Sequence, residues 1–499
     1  MSAEEKSDNK SLQQLSDSHL EDGDSGSYDF GGESSLPPPP TLTSEEERRL
    51  WRRIDLRLVP ILSLMYLLSF LDRGNARLQG LETQLNLTGN KYNIALVCKL
   101  APYCLFECPA NLVLKRFRPS RWLPGITVVW GIIMTLMGLV KTYPQLVGVR
   151  ICLGVAEAGL FPGVVYYLTL WYPRHMLQWR IGLFFGAASL AGAFGGLLAY
   201  GISFMSGTRA MLGWSWIFIL EGIATVVVGC LAFFILVDFP ISATFLTPEE
   251  RSFVIWRKKY DNSSVGEEEH FEMRHLVQAL LDWQVWLHMM IYMSIITNLY
   301  GITLFLPFGH SPAISNLLTV PPYCFIAIVL FIFAYYSDRM QKRYPFIIAG
   351  FLMCLTGYSI NISNAPSGVK YFGTFFCVTG AYAAVPGIIA WAGNNLSGQY
   401  KRAVGMAFQI GIGHFGGAFA SNIYRSQDKP HFIVGHACEL MFAGIGLICV
   451  PTVALIYKRI NSRREKAVRA ALERGDKDLY PKKLLREMGD RAPDFKYIL

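Results

Sequence analysis

The sequence predicts an all-α polytopic membrane protein whose twelve spans fall into two groups of six. Three observations carry that prediction. Of 499 residues, 52% are hydrophobic and 17% charged, against roughly 25% charged in soluble domains. Apolar runs close to the ~20 residues that cross a bilayer as a helix recur along the whole chain. Lys and Arg collect between those runs, in segments such as LKRFRPSR and SDRMQKR, where the positive-inside rule expects them.

Taken in order, residues 1–43 are acidic, rich in Ser and Gly, and end in LPPPP. Such a segment buries too little surface to fold and is read as a disordered cytosolic tail. It is polar throughout, so no cleavable signal peptide is expected and the first span serves as its own targeting signal. TSEEERRLWRRIDLR then places Ser44 three residues before Glu47, a capping-box spacing that starts a helix running into the first span. The first six spans are expected at 56–76, 92–114, 122–141, 144–171, 179–204 and 213–237, within a unit covering 44–237. A polar link, 238–283, contains LTPEERSFVIWRKKYDN, where Thr247, Pro248 and Glu250 suit the Ncap, N1 and N3 positions of a cytosolic helix. The second six are expected at 284–306, 316–336, 345–364, 369–394, 403–424 and 434–457, within 284–457, followed by a cytosolic tail, 458–499.

Orientation follows from the short loops. Lys115, Arg116, Arg118 and Arg121 fall in one, Arg339, Lys342 and Arg343 in another, Lys401 and Arg402 in a third, all on the side of both termini if there are twelve spans. Both termini are therefore expected in the cytosol. The formal charge of +9 resides in these loops and is not read as a nucleic-acid footprint. The ten cysteines lie mostly within apolar runs, with neither metal spacing nor a disulfide framework. No P-loop, nucleophile elbow or HExxH pattern occurs, so neither an ATP-driven motor of that kind nor an enzyme is expected, and no cofactor or metal.

The two halves resemble each other. RFRPSRWLPGI follows the second span as SDRMQKRYPFI follows the eighth, and WRIGLFFGAASLAGAFGG opens the fifth as KRAVGMAFQIGIGHFGG opens the eleventh. Corresponding segments in two six-span halves indicate parallel repeats, with a binding site at their interface near the midplane. That organisation is a transporter's.

Charges within the spans are the candidate machinery, because an ionisable side chain in a bilayer is costly unless paired or facing a wet cavity. Asp72 and Arg73 end the first span, in the stretch LLSFLDRGNARL. In the fourth, GVRICLGVAEAGLFPG sets Arg150 and Glu157 seven residues apart, on one helix face, with small residues around the carboxylate that admit a neighbouring helix. Asp72, Arg73, Arg150 and Glu157 are therefore candidate functional residues, and a carboxylate as deep as Glu157 is expected to exchange a proton near neutral pH. Asn298, Tyr300, Trp391, Asn394, Gln409 and His414 are candidates to line the cavity from the second half, and of these His414 can titrate. Glu107, at the cytosolic end of the second span, Arg180, at the start of the fifth, and Asp338, Arg339 and Arg343 form a candidate cytosolic gate closed by ion pairing.

The series DLRLVPIL, LLSFLDR, LKRFRPSRWLPGI, GVAEAGLFPGVVYYLTLWYPR, SLAGAFGGLLAYGI, GWSWIFILEG, LYGITLFLP and NNLSGQYKR, in that order, resembles the major facilitator superfamily, and within it the fungal allantoate permease family of anion:cation symporters. The resemblance covers the chain from about residue 50 onward. It implies two six-helix bundles, alternating access, and proton-coupled uptake of a small organic anion across the plasma membrane by a monomer. The substrates it implies are a nicotinate-like vitamin carboxylate first, then allantoate, ureidosuccinate, pantothenate or a dipeptide. A metabolite exporter or a non-transporting nutrient sensor on the same fold are the alternatives. Proton carriage by Asp72 and Glu157, with anion attraction or pairing by Arg73 and Arg150, is what the family's polar centre implies at these positions. Relatives of that family read D-R-x-N-I-G-N-A after the first-span pair, whereas Arg73 is followed at once by GNA.

Overall fold

The computed structural model describes residues 42–71, 81, 84–87, 91–259, 273–305, 312–397, 399–424, 432–473, 488–493 and 495–499. Twelve helical rods follow one another as the apolar runs predict. The first half comprises Ser44–Leu71, Lys91–Arg116, Pro119–Met137, Tyr143–Glu157 continued by Leu160–Trp171, Leu177–Ser203 and Gly213–Ile235. The second comprises Trp283–Phe305, Pro312–Met340, Tyr344–Ile362, Ser367–Asn395, Gln399–Gly413 continued by Phe415–Ile423, and Ile433–Glu473. Among the described residues ten rods are long and apolar enough to cross a membrane. The second and fifth spans, of 26 and 27 residues, also have the length to cross.

The first helix starts with a capping box set one residue earlier than Ser44 and Glu47 suggest. The Thr43 backbone N–H donates to Glu46 at 2.8 Å, and the Glu46 N–H donates to the Thr43 hydroxyl at 3.3 Å. Thr43-x-x-Glu46 has the same spacing, and Glu47 instead accepts from the Trp51 indole. Thr247 and Glu250 make the corresponding pair of bonds before the link helix Pro248–Lys259. Both Glu250 oxygens also take Arg53 at 3.0 Å, which straps the link to the first helix.

Among the described residues the halves meet chiefly with the fifth span against the eighth and the second against the eleventh, and the tenth also packs on the fifth. The second and fifth spans correspond to the eighth and eleventh in the repeat, so the same pairing occurs twice. Within the first half, the second and fourth spans approach to backbone contact. A Cβ on Gly154 would lie 2.2 Å from the Lys99 carbonyl oxygen, so only glycine fits there.

Two spans are irregular over a short turn, each beside a residue that the sequence marks: the fourth at Ala158 and Gly159, and the eleventh at His414. All three residues keep helical dihedrals, so each span runs on continuously, from Tyr143 to Trp171 and from Lys401 to Ile423.

Candidate functional site

Both irregular turns face one small cavity. It is lined by Tyr66, Ser69 and Phe70 of the first span, Tyr103 of the second, Glu157, Leu160 and Phe161 of the fourth, and His414 of the eleventh, and its volume of about 10 Å³ has room for about one water molecule. Six of the eight are aromatic or charged. Tyr66 stacks on Phe161 at 5.2 Å and on Phe184 at 4.3 Å between ring centroids, and Tyr103 meets the His414 ring edge-on at 5.3 Å.

Glu157 is 3% exposed and forms an ion pair with Lys99, Nζ to Oε2 at 2.8 Å. The Gly154 contact makes this possible, because it brings the second span onto the fourth one turn before the carboxylate. Across the cavity, His414 Nδ1 lies 3.6 Å from Oε2 of the fully buried Glu107, and the Tyr292 hydroxyl lies 3.4 Å from His414 Nε2. The centre therefore holds two carboxylates, one ammonium and one imidazole, contributed by the second, fourth and eleventh spans. Such a set can exchange a proton and can offer a cation to an anion.

The other marked residues are distributed differently. Asp72 and Arg73 lie outside the described residues. Arg150 is buried on the same span as Glu157, but among the described residues no ion pair joins the two; Lys99 takes that place. Glu107 does not mark the end of the second span but faces His414 near the centre. Asn298 donates to the Ser294 carbonyl of its own helix, and Gln409 to the His288 carbonyl. Tyr300 packs over Gly417. None of these three lines the cavity. Polar side chains on a span satisfy themselves on the nearest carbonyl, so polarity alone did not distinguish lining residues from packing ones.

Asn394 and Trp391 lie at the end of the bundle that carries the basic loops. Asn394 donates to the Arg174 carbonyl at 3.3 Å, and the Trp391 indole to the Ile498 carbonyl at 2.8 Å. Each ion pair at this end lies within one half, and hydrogen bonds from Asp338 and Arg343 knit the halves together. Asp338 accepts the Trp179 backbone N–H of the fifth span at 2.7 Å and pairs with Arg343 at 2.5 Å. Arg343, wholly buried, also donates to Gln178 and to the Arg174 carbonyl. Arg180 makes a two-pronged pair with Asp55, at 3.0 and 2.9 Å. Arg339 is exposed and makes no ion pair among the described residues.

Lys99, Asp55, Arg174 and Gln178 escaped the sequence reading. Lys99 had a visible signal, a lone cation in the apolar run around VCKLAPYC. Arg174 and Gln178 act through a backbone carbonyl and a side-chain amide, which leave no such mark.

Comparison with known proteins agrees with this architecture. Residues 62–421 match the Major Facilitator Superfamily. The chain is 33% identical over 476 residues to the MFS-type transporter cnsO of Penicillium expansum, covering 91% of this chain and 90% of that one. It is 31% identical over 464 residues to the high-affinity nicotinic acid transporter of Saccharomyces cerevisiae, covering 90% and 85%. The proton:xylose symporter XylE superposes with a TM-score of 0.59 at 16% identity, over 80% of this chain and 95% of that one, a likeness of fold. With its twelve rods, its doubled interface and a family match across most of its length, the chain belongs to the major facilitator superfamily of membrane transporters.

Proposed function

We propose that the chain is a proton-coupled importer of a small organic anion, with a nicotinate-like aromatic carboxylate as leading substrate, within the allantoate permease family. The observation that carries this reading is the Lys99–Glu157 pair, whose carboxylate lines a small aromatic cavity shared by the two halves. Aromatic walls suit a flat ring, and the ammonium suits its carboxylate. The nicotinic acid transporter among the relatives supports the same substrate class.

In this reading the proton and the substrate act on one ion pair. A carboxylate substrate competes with Glu157 for Lys99. Protonating Glu157 releases the ammonium, so binding the anion and loading the proton go together. His414 and Glu107 face the same cavity and form a second acid–base pair on the opposite wall. Asp72, at the outer end of the first span, is the proposed entry carrier. The halves 44–237 and 284–457 rock about the site while 238–283 links them. Separation of Asp338, Arg343 and Arg174 opens the cytosolic side, where both termini lie, with the chain in the plasma membrane as a monomer.

Uptake of radiolabelled nicotinate at low and high external pH, in competition with pantothenate, allantoate, ureidosuccinate and dipeptides, tests both substrate and coupling. Acid-stimulated uptake displaced best by aromatic carboxylates is expected. Uptake indifferent to external pH and to Glu157→Gln excludes the coupling.

A further inference from the structure

The segment 488–493 and 495–499 lies far along the chain from the cavity, yet it is folded into the basic end of the bundle. Asp490, Ala492, Phe495 and Tyr497 are all buried there. Its anchors belong to the second half. Gln284 of the seventh span donates to Asp490 and Tyr497 at 2.9 and 3.1 Å, and Asn395 of the tenth exchanges two hydrogen bonds with the Ile498 backbone. Asn461 and Arg464 of the twelfth hold the backbone of Tyr497, Phe495 and Asp490. Lys401 of the eleventh joins Asp490 at 2.7 Å and Asp282 at 2.5 Å, a buried triad. The Tyr497 ring stacks on Tyr457 at 4.5 Å and 6°.

From the other half, Arg174 reaches this segment. Arg174, between the fourth and fifth spans, places its guanidinium over the Phe495 ring at 4.6 Å and donates to the Lys496 carbonyl at 3.3 Å. Its own carbonyl meanwhile accepts from Arg343 and Asn394 of the second half. Arg174 is thus gripped by its backbone and by its side chain, and the folded-back segment supplies the ring and the carbonyl that meet its guanidinium.

We infer that residues 488–493 and 495–499 are a latch: bound permanently to the second half, they clasp Arg174 of the first and favour the state in which the basic end is closed. The geometry separates a latch from mere packing. Every hydrogen bond to spans seven, ten, eleven and twelve survives a rigid-body separation of the halves, whereas the Phe495 and Lys496 contacts to Arg174 cannot. Releasing the clasp therefore shifts the conformational balance without unfolding the segment. Phe495 supplies the face for the cation, and an arginine over an aromatic ring is a stronger contact when desolvated, as here.

Thr169 offers a reporter. It is 2% exposed at the same end of the fourth span, its methyl 4.0 Å from where a Cβ on Gly393 of the tenth would lie. Thr169→Cys, in the full chain in nanodiscs, is exposed to a water-soluble maleimide and followed peptide by peptide by mass spectrometry. Phe495→Leu should speed labelling of position 169 by about ten-fold, and Phe495→Trp should restore the parental rate. Deleting 488–499 should speed it at least as much as Phe495→Leu. Parental labelling rates in both Phe495→Leu and the deletion, or equal acceleration in Leu and Trp variants, overturn the latch. Should the deletion fail to yield folded protein, the Leu–Trp pair decides alone. The readout needs neither substrate nor proton, so it stands apart from the transport reading.

Discussion

Replacing Lys99 by Met and Glu157 by Gln, singly and together, asks whether proton and anion share one partner. The pair is nearly dry, with side chains 15% and 3% exposed and 2.8 Å between charged atoms. At an effective dielectric of ~20 its Coulomb attraction is about 6 kcal/mol, before desolvation of both groups is subtracted. What survives in a charge-assisted hydrogen bond is about 1.5–3 kcal/mol. At ~1.4 kcal/mol per decade, losing that bond to the substrate carboxylate weakens binding by about 10- to 100-fold. Lys99→Met should therefore raise the Kd for nicotinate by that factor at acid pH, and by less where ionised Glu157 already holds Lys99. Glu157→Gln should do the opposite, holding the affinity at its acid value and flattening its pH profile, because Lys99 is then always available. The double variant should bind as weakly as Lys99→Met alone, since nothing remains for Glu157→Gln to release. Equilibrium binding of labelled nicotinate to the purified chain, across roughly pH 5 to 8 around neutrality, reads all four corners of the cycle. Parental affinity in Lys99→Met, or a pH profile preserved in Glu157→Gln, refutes the shared-partner mechanism.

Four further outcomes follow from the same geometry. Arg343→Ala leaves Asp338 without its cation in a buried site and should cost about 3–5 kcal/mol, seen as a lower melting temperature of the solubilised chain; Arg343→Lys should rescue little, because a single ammonium cannot reach Asp338, Gln178 and the Arg174 carbonyl together. Gly154→Ala, whose Cβ would lie 2.2 Å from the Lys99 carbonyl oxygen, should force the second and fourth spans apart at about 1–3 kcal/mol and weaken nicotinate binding with it. Asp490→Asn should lower the melting temperature more than Asp490→Asn does when Lys401→Met is already present, since the second change removes the charge left behind. Burial, then the nearby Asp490 carboxylate, pushes the Tyr497 phenol up to about 12. A phenol raised above its unfolded value of ~10 stabilises fully below that pH and loses the contribution as pH rises from ~10 to ~12, so alkaline melting should be steeper in the parent than in Tyr497→Phe.

Span order and boundaries were legible in the sequence because apolar length is an unambiguous signal. The seventh span, expected at 284–306, runs Trp283–Phe305, and the tenth, expected at 369–394, runs Ser367–Asn395. Glu157 and His414 were legible for a related reason, as titratable groups amid glycines and apolar residues. Their partners were harder. Arg150 shares a helix face with Glu157, but a rigid helix carries both at fixed separation, and the second span, admitted by Gly154, arrives with Lys99 first. Asn298 and Gln409 read as cavity residues because amides are rare in spans, yet carbonyls of their own or a neighbouring helix take up their N–H groups. The clasp on Arg174 was invisible, since it depends on where distant residues fold back.

The irregular turn beside Glu157 has a bearing on how this centre is to be mapped. Ala158 and Gly159 keep helical dihedrals outside the regular helix on either side, and main-chain groups at such a turn are the same whatever side chain is attached. Alanine scanning leaves such groups in place. A residue-by-residue scan of the cavity will thus account for less than the whole of its selectivity, and amide-to-ester replacement at Leu160 or Phe161 is the perturbation that reaches the remainder.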